Sequence, residues 1–101
     1  MQKTEIFCKN FYAGLSPLEI AEEIKREGFH PIRIVDAPGA VYPVHSHPET
    51  KLLAFLEGEM EVRVGETLYH CEPGDKLFIP GNVEHSAKAG PRGCIFYWSE
   101  K

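Results

Sequence analysis

Three histidines in this chain have the spacing of a metal-binding set. His45 and His47 are separated by one residue, and His85 follows a Pro80-Gly81-Asn82 turn sequence much later in the chain. Side chains two residues apart on a β-strand point to the same face, so the first two histidines share one direction. A third histidine on a later strand completes a set of three imidazoles, which suits divalent transition metals. The spacing therefore predicts a metal site held by strands.

Short strands separated by turn sequences dominate the chain from Phe29 onward. The run Leu52–Leu56 is wholly apolar and predicts a strand buried on both faces, whereas alternating polar and apolar residues over 59–64 predict a half-solvated one. We expect Glu57-Gly58 to turn the chain between them, and Cys94–Trp98 to form the last strand. Turn signals recurring about every ten residues are typical of an antiparallel sandwich or barrel.

One helix is predicted ahead of the strands. Ser16 is suited to the N-cap, Pro17 to the first helical position and Glu19 to a capping box, while Gly28 suits the end of the helix. The predicted buried stripe consists of Leu18, Ala21 and Ile24. An amphipathic helix of this length near a terminus packs over a sheet or over one end of a barrel.

Length and charge narrow the classes of function. The 101 residues suit one domain. A net charge of −4 argues against nucleic acid or an anionic membrane as a partner, and no apolar run reaches the roughly 20 residues of a spanning helix. Met1–Glu5 shows no secretory pattern, and the three cysteines (Cys8, Cys71 and Cys94) form no CxxC pair. A reducing cytoplasm is therefore expected, with the cysteines as small buried side chains.

Two motifs, in order, make the chain resemble the cupin superfamily. Gly39, His45, His47 and Gly58 fall on the spacing of the first cupin motif, and Gly74, Pro80 and His85 fall on that of the second. His30 and His70 lie outside both motifs and are expected to face solvent. The resemblance covers about residues 31–98. It implies a double-stranded β-helix, a jelly-roll barrel with one short N-terminal helix, in which residues 1–30 form an N-terminal extension and 31–98 the barrel of a single domain.

Three positions depart from the family pattern. Asn82 stands where the second motif has a glycine, Ala89 where it has an asparagine, and Lys51 where the first motif has its glutamate. Asparagine tolerates the left-handed backbone that such a glycine adopts. The lysine matters more, because the resemblance implies three histidines and a carboxylate around the metal, and an ammonium cannot ligate.

Glu49 offers a substitute for the missing glutamate ligand, since residues 45, 47, 49 and 51 share a face on a regular strand. Pro48, however, interrupts the ladder, and a bulge there could re-aim Glu49 or Lys51. Three arrangements remain open. Glu49 ligates the metal while Lys51 pairs with it or with a substrate acid; the three histidines hold the metal alone; or the Lys51 ammonium replaces the metal.

Two functions from different classes follow from the resemblance. The first is a metalloenzyme acting on a small polar metabolite at the barrel mouth, with His45, His47 and His85 holding one divalent transition metal (Zn, Ni, Fe or Mn) and Glu49 and Lys51 as catalytic groups. The second is a non-catalytic module that binds or senses a metal or small molecule, with Lys51 as a fixed charge. Phe78 and the run from Ile95 to Trp98 offer apolar surface, from which we expect a homodimer.

Overall fold

The structure, a computed structural model, describes residues 6–101 as a barrel of antiparallel strands with one helix packed on its outside. Residues 1–5, which belong to the predicted N-terminal extension and to the prediction of no secretory pattern, lie outside the described range. The elements in chain order are β1 (Phe7–Cys8), α1 (Pro17–Arg26), β2 (His30–Asp36), β3 (Val41–His45), β4 (Lys51–Val64), β5 (Thr67–Cys71), β6 (Lys76–Ile79) and β7 (His85–Glu100).

Two long strands, β4 and β7, hold the barrel together. They pair with each other antiparallel along most of their length. The first half of β4 also pairs with β6, and the second half of β7 with β2, whereas the other halves pair with β5 and β3. Each long strand therefore belongs to two differently oriented parts of one sheet. This arrangement confirms the predicted all-β jelly-roll barrel with one short helix.

The predicted turn at Glu57-Gly58 is wrong. The chain continues through it as part of β4, and the β4–β7 register shifts there in two places, between Phe55 and Glu57 and between Gly58 and Met60. Gly58 has φ +74°, and a Cβ at this position would lie 2.2 Å from the carbonyl oxygen of Gly93. The glycine therefore serves a bulge that bends a continuous strand, since bulges add curvature without ending pairing.

The helix α1 begins and ends where the local sequence predicts. Ser16 caps it, and the Ser16 and Glu19 side chains form the reciprocal capping box. The buried face differs from the prediction, because Ile20, Ala21 and Ile24 are buried whereas Leu18 is 73% exposed. No helix within residues 6–101 is long and apolar enough to cross a membrane.

The two faces of β4 separate two apolar clusters. Leu52 and Ala54 face α1 and pack with Tyr12, Ile24 and other buried residues, whereas Leu53 and Phe55 face the barrel interior. Alternation along the strand puts Lys51 on the interior face as well. Lys51 therefore lies at one end of the barrel interior, which is the end that holds the candidate site.

The two cysteines at the core are inert small side chains, as the sequence predicts. Cys71 and Cys94 are buried in the interior cluster. Burial, more than any neighbouring charge, raises the pKa of both thiols, that of Cys94 to about 12. A thiol that stays protonated is a poor nucleophile and a poor metal ligand.

Candidate metal centre

Three histidine rings converge at one end of the barrel. His45 ends β3 and lies directly opposite His85, which begins β7. The ring centroids of His45 and His85 are 4.3 Å apart, those of His47 and His85 4.6 Å, and those of His45 and His47 5.1 Å. Each ring offers a nitrogen within 4.8 Å of the other two. The structure thus brings together the three histidines that the sequence singles out.

Backbone carbonyls orient two of the rings. Nδ1 of His45 donates to the carbonyl of Pro43 at 2.6 Å, and Nδ1 of His85 donates to the carbonyl of Val83 at 3.0 Å. Because a carbonyl only accepts, each ring carries its proton on Nδ1 and its lone pair on Nε2. Such an outer hydrogen bond is the usual way a metal-ligating histidine is fixed in one tautomer.

Two imidazole nitrogens at the centre are buried without a hydrogen-bond partner among the described residues. They are Nε2 of His85 and Nδ1 of His47. Buried polar atoms are nearly always satisfied, and an exception points to a function or to a bound group. This donor set, made of neutral nitrogens facing one another, fits a divalent transition metal.

The environment keeps two of the imidazoles neutral. Burial is the largest cause lowering the pKa of His47, followed by the charges of His85, Lys51 and His45. Burial likewise lowers the pKa of His85, although the bond to Val83 opposes it. A neutral imidazole keeps the lone pair that metal ligation needs.

Glu49 does not continue the strand of the histidines, so the interruption at Pro48 that the sequence allows is the one observed. β3 ends at His45, the chain bends at Pro48 and Glu49, and β4 begins only at Lys51. The Glu49 side chain is exposed, and its carboxylate does not belong to the group formed by the imidazole nitrogens. The cause is Pro48, whose missing N–H prevents a continuous ladder.

The second-motif turn holds the bent segment in place. The N–H of Asn82 donates to the carbonyl of His47 at 2.7 Å, and a Cβ at Gly81 would lie 2.2 Å from the carbonyl oxygen of Pro48. Asn82 has φ +63°, which confirms that asparagine takes the left-handed backbone expected at this position. Gly81 and Asn82 therefore position His47 through backbone contacts alone.

Lys51 lies at the rim of the same end of the barrel, with its side chain only 6% exposed. Its ammonium donates to the carboxylate of Glu100 on β7 and lies 3.6 Å from that of Glu49. It is also 5.3 Å from the centroid of the Trp98 ring, and His47 contacts the same ring at 5.8 Å. No local pattern in the sequence points to Glu100, because it meets Lys51 only through the β4–β7 register.

An apolar cavity of about 260 Å³ lies directly below the histidines. His45, His85 and Trp98 line one end of it. Tyr42 adds a phenol, but this hydroxyl is already committed to the carboxylate of Asp36 at 2.7 and 2.9 Å. The remaining wall is apolar and consists of Ile34, Leu53, Met60, Val62, Ile79, Ala87 and Phe96.

The other two histidines face solvent, as predicted. His70 is near Glu59, at 3.7 Å, and both belong with Glu72 to a second group of possible ligand atoms on the surface. Glu72 is already paired with Lys9 at 2.7 Å. None of these three side chains is fully buried, and the group forms an ordinary solvated ion-pair patch.

Comparison with known proteins agrees with the fold and the motifs. The model of the family described as "Cupin domain" matches residues 32–98. The chain is 34% identical over 59 residues to dimethylsulfoniopropionate lyase DddW of Ruegeria pomeroyi, a match that covers 58% of this chain and 39% of that protein.

Solved structures share the barrel. An RmlC-like cupin from Shewanella frigidimarina is 29% identical, with a TM-score of 0.66 over 71% of this chain and 64% of its own. Oxalate decarboxylase of Bacillus subtilis, which has Mn(II) centres, is 20% identical with a TM-score of 0.67, over 72% of this chain and 21% of its own. The chain thus spans less than two thirds of the length of each of these proteins.

Proposed function

The chain belongs to the cupin family, and on that premise we propose that it is a metalloenzyme acting on a small polar metabolite at the barrel mouth. His45, His47 and His85 would hold one divalent transition metal (Zn, Ni, Fe or Mn). The observation that carries the proposal is the pair of buried, unpartnered nitrogens on His47 and His85, which face a third histidine. When bound, such a metal supplies a Lewis acid or an activated water.

The residues around the histidines support this role. The carbonyls of Pro43 and Val83 fix the proton on Nδ1 of their histidines and leave Nε2 for a ligand. The site has an apolar cavity on its inner side, where His45 and His85 line one end. Of the three arrangements that the sequence leaves open, we propose the one in which the histidines hold the metal alone, because Glu49 lies on the bend and Lys51 is paired with Glu100.

Lys51 and Glu49 are the proposed catalytic groups. Two carboxylates hold the Lys51 ammonium beside the Trp98 ring. Because the side chain is already ordered, it can present a positive charge to a substrate with little further loss of conformational entropy. Glu49 is exposed next to it, with its carboxylate 3.6 Å from the ammonium, and is the proposed proton carrier at the mouth. That DddW is a lyase favours the enzymatic function over simple binding.

A second candidate function is a non-catalytic module that binds or senses a metal or small molecule. One observation favours it, namely that a lysine stands where the family has a glutamate. Loss of a charged ligand weakens the hold on the metal and removes one potential proton carrier. The two functions differ in one measurable property, which is turnover by protein that has been shown to contain metal.

Metal content tests the proposal directly. Elemental analysis of purified protein reconstituted with each of the four metals should give about one metal per chain. Replacing His45, His47 or His85 with Ala should weaken retention by at least about tenfold, whereas His30→Ala and His70→Ala, at exposed positions, serve as matched controls. Reconstituted protein that retains no metal, or equal losses in site and control variants, would contradict the proposal.

We also propose a cytoplasmic homodimer, with its interface in a different place from the one the sequence suggested. Phe78 packs on Phe29 within the chain, and Trp98 lines the cavity, so neither supplies a free apolar face. Four exposed apolar side chains lie instead along β2 and β3, which follow one side of β7 as a continuous outer edge. They are Ile32, Val35, Val41 and Val44. The two buried thiols, Cys71 and Cys94, suit a reducing compartment.

A further inference from the structure

The three histidines would bring no negative charge to a metal. A neutral imidazole nitrogen contributes no charge to a metal that it binds. Among the described residues, no carboxylate belongs to the ligand group. A divalent ion held here would keep its full charge, and the ammonium of Lys51 would add to it rather than offset it.

The carboxylates that do lie nearby face outward. Glu100, with a side chain 49% exposed, and Glu49, 42% exposed, contact Lys51 from the solvent side. The interior side of the ammonium faces Trp98, whose ring also contacts His47. An anion that passes these two carboxylates would meet the bound metal and the inner side of the ammonium, which are both positive.

The cavity below the histidines determines which kind of ligand body fits the site. Apart from the histidines, Trp98 and the committed phenol of Tyr42, its wall is apolar. An apolar cavity of about 150 Å³ is large enough to bind benzene, and this one measures about 260 Å³. A charged or strongly hydrogen-bonding group in it would lose its hydration without compensation.

We propose that the site takes a small carboxylate with an apolar body. The carboxylate lies between Lys51 and the metal held by the histidines, and the body enters the cavity toward Leu53 and Phe96. This inference rests on the proposed metal site and adds the class of ligand. A single ammonium suits a monoanion, whereas a phosphate ester with nearly two charges calls for additional donors, usually arginines.

Calorimetric titration of the zinc-loaded full chain tests the proposal with matched probes. Benzoate should bind at least tenfold more tightly than benzamide, which has the same shape without the charge, since a charge-assisted bond is worth roughly ten- to hundredfold in affinity. Benzoate should also bind at least about tenfold more tightly than acetate, which lacks the apolar body. Phenyl phosphate is the competing ligand class, and tighter binding of it than of benzoate would overturn the proposal.

Variants connect each half of the ligand to its residues. Lys51→Met should weaken benzoate binding about tenfold or more, whereas Lys88→Met, at an exposed lysine on β7, makes the same change of charge and should leave it unaltered. Ala87→Leu, on the cavity wall, should weaken benzoate but not acetate. Should the leucine prevent folding, as seen by circular dichroism, Val62→Phe provides the same test from another strand.

Metal content measured on every sample separates the two possible failures. Protein that retains none of the four metals contradicts the proposed function. Protein that retains about one zinc per chain but binds benzoate and benzamide equally, or binds benzoate equally well before and after Lys51→Met, contradicts only the ligand class.

Discussion

Lys51 on β4 lies directly opposite Glu100 on β7, and the ammonium of the first donates to the carboxylate of the second. The lysine is buried while its partner is half exposed, so the pair lies at the rim with the carboxylate toward solvent. Truncating one member of such a pair leaves the other charge unpaired. Leaving the buried ammonium unpaired destabilises the protein more than leaving the half-exposed carboxylate unpaired. The geometry makes Lys51 a fixed part of the mouth.

Lys51→Glu should raise metal affinity. The substitution removes a positive charge and adds a carboxylate beside three imidazoles, and both changes favour a dication. Combining it with Glu100→Gln removes the nearer of the two carboxylates that would repel the new one. We expect a gain of roughly tenfold or more in zinc affinity for the double variant, measured by competition with a chelator.

Two further variants show which change causes the gain in zinc affinity. Lys51→Met separates the loss of charge from the gain of a ligand, and it should give a smaller increase. Glu49→Ala should leave affinity nearly unchanged, because Glu49 lies on the bend and outside the ligand group. A large loss on Glu49→Ala would instead mean that this carboxylate reaches the metal.

The stability of the metal-free protein should depend on pH through His47 and His85. Their pKa values are lowered in the fold, chiefly by burial, so the unfolded chain binds more protons than the native state below its own histidine pKa of about 6.5. The free energy of unfolding should therefore be greatest above that pH and decrease as the pH falls through it.

Urea denaturation at a series of pH values measures this dependence. His47→Gln and His85→Gln should each flatten the decline, whereas His30→Gln, at an exposed position, should leave it as it is in the native chain. An equally steep decline in all three variants would show that other groups cause it.

Local patterns in the sequence predicted the elements that depend on neighbours in the chain. Ser16 and Glu19 satisfy each other within one turn, so the start of the helix could be predicted without knowledge of the fold. The histidine positions followed from motif spacing. By contrast, Glu57-Gly58 has the composition of a turn, yet pairing with β7 keeps the strand continuous through it.

The surroundings of Lys51 depend on contacts that are distant in sequence. Glu100 and Trp98 approach it only because β4 and β7 pair in one register, and no local pattern encodes that register. The position of Glu49 depends on a local feature instead. Pro48 allows either a regular strand or a bend, and the backbone bends there, so strand alternation ends before Glu49.

Asn82 should tolerate glycine but not a β-branched residue. Its φ of +63° lies in the left-handed region, where most side chains cost roughly 1–2 kcal/mol. Asn82→Gly should therefore change the free energy of unfolding little, whereas Asn82→Val should lower it by about 1–2 kcal/mol or more.

The same pair of variants tests whether this turn positions the site. The Asn82 N–H holds the carbonyl of His47, so Asn82→Val should also weaken zinc retention, and Asn82→Gly should not. Chemical denaturation and chelator competition on the same samples give both quantities. Weakened zinc retention without a loss of stability in Asn82→Val would show that the turn matters to the site alone.

The oligomeric state and its interface can be tested with one charge placed at each of two apolar surfaces. Light scattering of the native chain should give twice the 11.4 kDa mass of one copy. Val35→Lys puts a charge on the outer edge formed by β2 and β3, where a lysine opposes pairing with another strand, and should shift the mass toward one copy. Leu18→Lys makes the same change on the exposed face of α1, at a residue 73% exposed, and should leave the dimer intact. Dissociation by Leu18→Lys but not by Val35→Lys would move the interface to the helix, and a native mass of one copy at all accessible concentrations would contradict the dimer.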